Sequence, residues 1–392
     1  MKNSIFKLLL NLVLVLFSGT IVRAQHSNFK ALVGAIQSVQ KQVVPDKRVA
    51  ILDVSFADTL KLPVIVKGET NLPEGKSAIV KLLKTRGIQF VDSIKILPEA
   101  ALGNKTWALA TLSVSSMRVR PDHPAEMATQ ALMGTPLKIL AYDGGWYRVQ
   151  TPDLYIGWME GIALQRFSQA EMDQWKKSNR YFYNQIVGSA FDSPGRKSMV
   201  VTDLVFGDLF VAEGETKGFL KIRIPDGRIG FVKKSECMSW KEWTSRKPDV
   251  QAIISFARQL LGVPYLWGGT SSKSVDCSGF TKTSYFSQGI ILARDASQQA
   301  LNGEHPDFND LRALQPGDLL FFGRNAQRVT HVAFYMGNGR YIHASGLVRI
   351  NSLDPNDPLY NEPLKKKLVA SGRILNSLNT NGITLIKDHP WY

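Results

Sequence analysis

The chain has 392 residues, 44% of them hydrophobic and 21% charged, which is too long for one core of ordinary size and too apolar for a disordered polymer. Its formal charge is +15, but the 48 basic residues are scattered, the densest run is Lys365-Lys366-Lys367, and no nucleic-acid-binding motif accompanies them. No apolar stretch beyond the N-terminus is long enough to span a bilayer, so two to four domains without a stable membrane anchor are expected.

Residues 1–24 read as a secretory signal. Lys2 and Lys7 precede an apolar run from Leu8 to Phe17, and Val22-Arg23-Ala24 fits a cleavage site before Gln25. No cysteine stands near the cut, so a lipid anchor is not expected. Residues 1–24 carry three basic residues and no acid, so cleavage would lower the charge by three, to +12. An exported basic protein fits an anionic wall or membrane surface better than nucleic acid, and places the mature chain in the periplasm or outside the cell. Export also implies an oxidising compartment, yet only Cys237 and Cys277 are available. A disulfide between them would consume the thiol on which the reading below depends, so Cys237 is expected to be a buried structural thiol.

Residues 25–105 predict a small α+β module. Phe29, Leu32, Val33, Ile36 and Val39 recur at helical spacing, and Pro45 ends the pattern. Strands are expected over 48–54 and 62–66, a helix over 75–86 capped by Gly87, and a returning strand from 88–91 to 94–96. The module resembles the BON-type envelope domains and carries no catalytic constellation.

Residues 106–165 and 180–238 repeat one another. A gapless offset of 73 residues aligns Gly134 with Gly207, Gly145 with Gly218, Trp146 with Phe219, and Ile156-Gly157-Trp158 with Ile229-Gly230-Phe231. Short alternating strands with closely spaced turn residues predict a small β-barrel in each copy. Between them, Ser168-Gln-Ala-Glu171 is a capping box that should start a connecting helix. Trp240 and Trp243, in the second connector, are expected to pack at an interface.

The unit from 249 to 392 opens with an amphipathic helix, capped by Asp249 and stopped by Gly262. The loop Val263-Pro-Tyr-Leu-Trp-Gly-Gly269 follows, then Asp276-Cys277-Ser278-Gly279-Phe280 at the start of a helix running to about Gln288. A thiol at a helix N-terminus feels the positive end of the dipole, which favours the thiolate nucleophile. A base is then required nearby. Strands are expected over 319–322, 329–336 and 340–344, with Gly337-Asn338-Gly339 as a three-residue hairpin loop. That loop pairs Met336 with Arg340, and hence Ala333 with His343. His331 then lies on the same face as His343 and diagonal to it. Nucleophile, base and orienting group can be assembled from Cys277, His331 and His343. Zinc would want ligands at shorter local spacing, so neither a metal nor a cofactor is expected.

Tyr265-Leu-Trp-Gly-Gly269, Asp276-Cys-Ser-Gly-Phe280, His331 and Tyr341-Ile-His343-Ala-Ser345 together resemble the NlpC-type papain-like cysteine peptidases of bacterial cell walls, over about 145 residues. Helix before antiparallel sheet is the order of the papain-like α+β fold. The resemblance implies Cys277 as nucleophile, His331 as base, His343 as third polar residue and Tyr265 beside the oxyanion site. It implies that Asp276, Ser278 and Ser297 line the substrate groove. The implied reaction is hydrolysis of the γ-D-glutamyl–diamino acid bond in peptidoglycan stem peptides or muropeptides. The pattern Gly-Trp-Tyr-x-Val…Ile-Gly-Trp resembles bacterial SH3-like domains. Two of these before the catalytic unit resemble the dipeptidyl-peptidase-like members, which release L-Ala-γ-D-Glu from peptides with a free N-terminal alanine. On that resemblance Glu126 and Tyr155 hold the free amine. A monomer is expected. The alternatives are an endopeptidase acting on intact wall and a wall-binding protein with an inactive catalytic unit.

Overall fold

The computed structural model describes residues 30–57, 63–195 and 198–392. The signal segment, its cleavage site and Phe29 lie outside these. The chain forms two compact units, divided at about residue 100.

In the first unit, a helix over 30–43 precedes strands Leu52–Phe56 and Val64–Thr70, helix Pro73–Thr85 and strand Phe90–Ile96. Pro73 suits the first helical turn, where its missing N–H costs nothing. The first two strands pair antiparallel; the helix then crosses over to a parallel third strand. The returning strand expected over 88–96 forms as Phe90–Ile96 and pairs with Val64–Thr70 without a break. Leu32, Ile36, Val54, Val66, Ile79, Leu83 and Ile94 fill the core.

The second unit begins with two seven-stranded antiparallel sheets. The strands of the first are Trp107–Ala110, Val114–Arg118, Met127–Leu132, Pro136–Asp143, Trp146–Gln150, Ile156–Glu160 and Leu164–Phe167. Each strand of the second sheet, from Arg180–Tyr183 to Cys237–Ser239, starts 73 residues after its counterpart, and the spatial strand order is the same. The repeat read from the sequence is therefore a repeat of topology. The Ser168 capping box forms, with both reciprocal bonds, at the head of helix Gln169–Lys177. At the turn before Pro136–Asp143 contact demands a glycine: Gly134 has φ +74°, and a Cβ there would lie 2.3 Å from the Leu209 carbonyl of the second sheet.

The last part of the chain places helices Val250–Gln259 and Cys277–Phe286 against a five-stranded antiparallel sheet. Its strand order is Leu347–Ser352, Arg340–Ser345, Val329–Gly337, Leu319–Gly323 and Leu368–Gly372. One hydrophobic core joins this sheet to the two before it, running through Leu109, Phe182, Trp243, Phe280 and Phe334. Trp243 is buried at that junction, donates to the Ser287 carbonyl and lies tilted against Phe182, and Trp240 meets it edge-on, so the connector tryptophans do pack at an interface. Residues 389–392 tuck into the same junction. His389 donates to the Pro152 carbonyl, Trp391 meets Trp107 edge-on, and Tyr392 stacks on Trp240. No helix among the described residues is long and apolar enough to cross a membrane.

Candidate active site

Cys277 is the first residue of its helix. Asp276 caps that helix, accepting from Gly279 N at 2.7 Å. The same carboxylate accepts from Gly268 N at 2.9 Å and from both Nη atoms of Arg294, at 2.5 and 3.1 Å. Ser278 Oγ accepts from Arg294 at 3.0 Å and donates to Asp276. The loop Tyr265–Gly269 is thus sewn to the helix start by a buried ion pair. Asp276 and Ser278 are both buried in it, with their polar atoms turned to protein partners rather than to an open groove. Ser297 sits half-buried on the short helix Ala296–Gln299.

The hairpin carrying the histidines differs in its turn from expectation. Asn338 and Gly339, both with positive φ, make a two-residue loop that pairs Gly337 with Arg340. A bulge between Tyr335 and Gly337 absorbs the extra residue, so Tyr335 faces Tyr341 and Phe334 faces Ile342. In step with these, Ala333 falls opposite His343, the expected register. His331 Nε2 lies 2.7 Å from His343 Nδ1. His343 Nε2 lies 2.9 Å from Asn351 Oδ1, and Asn351 Nδ2 donates to the Leu359 carbonyl.

This chain assigns every proton. The amide oxygen of Asn351 only accepts, so His343 Nε2 carries hydrogen and its Nδ1 does not. His331 Nε2 must then donate to His343 Nδ1. The neutral His331 ring is left with its lone pair on Nδ1, the tautomer a general base needs. Asn351 was not anticipated. It was within reach of the two-residue period, since His343 pairs with Arg349 and Asn351 is two residues further on.

The charge state departs from the sequence expectation. Burial, reinforced by the Asp276 carboxylate, pushes the Cys277 thiol up to about 11, against hydrogen bonding from the Val332 and Ser278 amides and the Arg294 charge. Burial and then His343 push His331 down to about 3. Burial thus opposes the charged form of both groups, against the pull of the helix dipole on the thiolate. Tyr265 lies close enough to Cys277 that a thiolate there, added to burial, raises its phenol to about 12. Both cysteines are free.

The first seven-stranded sheet docks beside this site along strand Met127–Leu132. Trp267 Nε1 donates to Glu126 at 2.7 Å, and Arg294 Nε donates to Thr129 Oγ1 at 2.8 Å. Thr270 N donates to Gln130 Oε1, and Tyr155 OH donates to Asp295 Oδ2 at 3.1 Å. Glu126 is thereby held to Trp267 of the loop, and Tyr155 to Asp295, the neighbour of Arg294. Asp295 and Arg294 were missed as partners of the first sheet because those contacts cross 140 and 165 residues of chain.

The model of the NlpC/P60 family matches residues 262–373, and that of the bacterial dipeptidyl-peptidase Sh3 domain matches 117–164. Over 251 residues the chain is 31% identical to the gamma-D-glutamyl-L-lysine dipeptidyl-peptidase of Bacillus cereus (strain ATCC 10987 / NRS 248), covering 60% of this chain and 73% of that protein. The chain belongs to the NlpC/P60 family of cysteine peptidases. It is also 28% identical to dipeptidyl-peptidase 6 of Lysinibacillus sphaericus, over 68% of this chain and 99% of that one. Among solved structures, an NlpC/P60 family protein from Bacillus cereus ATCC 10987 shares the fold with a TM-score of 0.59 at 24% identity, covering 69% of this chain and 99% of that chain. The NlpC/P60 match spans the Cys277 helix start and both histidines, and the Sh3 match spans Glu126 and Tyr155.

Proposed function

We propose that this chain is an exported cysteine peptidase that cleaves the γ-D-glutamyl–diamino acid bond of peptidoglycan-derived peptides and releases L-Ala-γ-D-Glu from those with a free N-terminal alanine. The observation that carries the reading is the docking of Glu126 and Tyr155 beside the Cys277 helix. Glu126, Tyr155 and Asp295 together offer two carboxylates and a phenol to an ammonium group. The family membership, and relatives named as dipeptidyl-peptidases, support the same reading. The second sheet, with the same order at the same offset, is read as a second SH3-like domain.

In the proposed mechanism, Cys277 Sγ attacks the γ-carbonyl carbon as His331 Nδ1 takes the thiol proton. The developing imidazolium is stabilised through His343 and Asn351. The tetrahedral oxyanion is met by backbone N–H groups at the helix start and by the Tyr265 hydroxyl. Collapse expels the diamino acid, whose amine takes the proton from His331. Water, deprotonated by His331, then cleaves the thioester and frees the dipeptide.

The test is cleavage of stem peptides with a free N-terminal alanine against the same peptides N-acetylated or muramyl-capped. Release of L-Ala-γ-D-Glu from the free peptide alone is expected. Equal cleavage of both would refute the free-amine requirement and favour the endopeptidase. Pull-down by sacculi without any hydrolysis, unaffected by Cys277→Ala, would leave only a binding role.

A further inference from the structure

The loop that crosses the site has two differently charged ends. At one end Trp267 meets Glu126. At the other, Tyr265 N donates to the Gly346 carbonyl at 2.9 Å, and Pro264 bridges Leu347. Beside that second end stands Arg349. It is exposed and has no carboxylate partner among the described residues. Its Nη2 lies 3.0 Å from where a Gly346 Cβ would be, so the guanidinium folds over this turn. Arg349 is directly opposite His343 in the antiparallel pair, hence on the same face, with Cβ atoms about 5 Å apart. Its charge, after burial, helps to keep the His343 ring neutral.

A peptide bound with its ammonium at Glu126 and its scissile carbonyl at Cys277 must send its leaving group toward the other end of the loop. In a tripeptide that leaving group carries a carboxylate on the carbon next to the scissile nitrogen. We propose that Arg349 forms the subsite for the carboxylate of the departing diamino acid, so that the site reads its substrate as a zwitterion with the cation at the Glu126 end and the anion at the Arg349 end. The inference rests on the dipeptidyl-peptidase reading and adds what lies on the other side of the bond. Arginine suits the task because its planar fork meets a carboxylate through two donors. Its exposure in the free protein leaves those donors available.

The experiment uses the full chain and three substrates: L-Ala-γ-D-Glu-L-Lys with a free carboxylate, the same peptide as its carboxamide, and L-Ala-γ-D-Glu-meso-diaminopimelate amidated at the L-centre carboxyl. Amidation of the lysine peptide should lower kcat/KM of the unaltered protein roughly three- to tenfold, mostly through KM. Arg349→Ala should lose the same factor on the acid and be indifferent to amidation, while Arg349→Lys keeps part of the preference. A preference restored by the diaminopimelate peptide would assign Arg349 to the side-chain carboxylate; one that stays lost would assign it to the main-chain carboxylate. If the unaltered protein treats acid and amide alike, or Arg349→Ala keeps the preference, the subsite is refuted while the dipeptidyl-peptidase reading stands. No dipeptide release from the lysine acid would overturn both. A general disturbance of His343 would slow acid and amide equally, which the ratio of the two does not register.

Discussion

Replacing Arg294 by methionine should be among the most damaging single changes outside the proposed nucleophile. The guanidinium is 1% exposed and makes four hydrogen bonds: two to Asp276, one to Ser278 and one to Thr129. Methionine fills much of the volume but leaves the Asp276 carboxylate buried without its counter-charge. Breaking a buried pair in this way costs about 3–5 kcal/mol, because desolvation of the remaining ion is no longer offset. If the second unit, whose parts share one core, melts as one body, about 2–4 °C per kcal/mol puts the loss in Tm at roughly 6–20 °C. Asp276→Asn in the same chain removes the orphan charge while keeping a side chain that can cap the helix, so the double variant should be more stable than Arg294→Met alone. Differential scanning calorimetry of the two single variants and the double variant measures this. Additive losses, or an Arg294→Met loss under about 1 kcal/mol, would show that the pair is not the fastening described here.

Asn351→Ala should lower kcat about ten- to a hundredfold with little change in KM, since it frees the His343 ring whose tautomer fixes the His331 lone pair; Asn351→Asp, which still accepts from Nε2, should retain more activity. In a Cys237→Ser background, iodoacetamide should modify Cys277 at a rate that keeps rising from pH 6 to 9, as a thiol near 11 requires; a plateau already reached below pH 6 would show a preformed thiolate–imidazolium pair instead. Stability should fall as pH drops from about 6.5 toward 3, because His331, His343 and His389 are all held neutral by burial and bind protons more readily when unfolded. His331, held down to about 3, contributes up to about 1.4 kcal/mol per pH unit in that window, and the other two act with the same sign. Asp208, whose buried carboxyl is raised, acts with the opposite sign, so thermal melts should steepen in Asp208→Asn, and a flat Tm between pH 6.5 and 4.5 in that variant would refute the assignment.

What the sequence disclosed follows the range of each interaction. The 73-residue repeat was legible because both sheets use the same turn glycines and the same alternation, and each strand start follows. The Cys277 helix start was legible from Asp276 and the glycines around it. The histidine register survived a wrong turn type, because the bulge at Met336 restored the count that the shorter loop removed. Asn351 needed only one more strand of the same reasoning. The thiol's charge state was not legible. It depends on burial and the Asp276 charge, opposed by the Val332 amide and the Arg294 charge, and a local helix dipole says nothing of that balance. Nor could Asp276 be recognised as a buried partner while Arg294 was unplaced.

The docking of the first sheet and the geometry of the thiol are coupled through one side chain. Arg294 holds Thr129 of the sheet with Nε and Asp276 with its two Nη groups, and Asp276 caps the helix that begins at Cys277. A sheet that shifted would pull on the guanidinium that fastens the helix start, so closing the site and ordering the thiol are parts of one arrangement. Thr129→Val tests this with a single hydroxyl. It leaves Arg294 Nε buried without its acceptor, at a cost of about 1–3 kcal/mol. The defect should surface in two places: in KM for the free-amine peptide, which reads the seat of Glu126 and Tyr155, and in the alkylation rate of Cys277, which reads the helix start. A change in the first alone would show that the sheet shapes the pocket without governing the thiol.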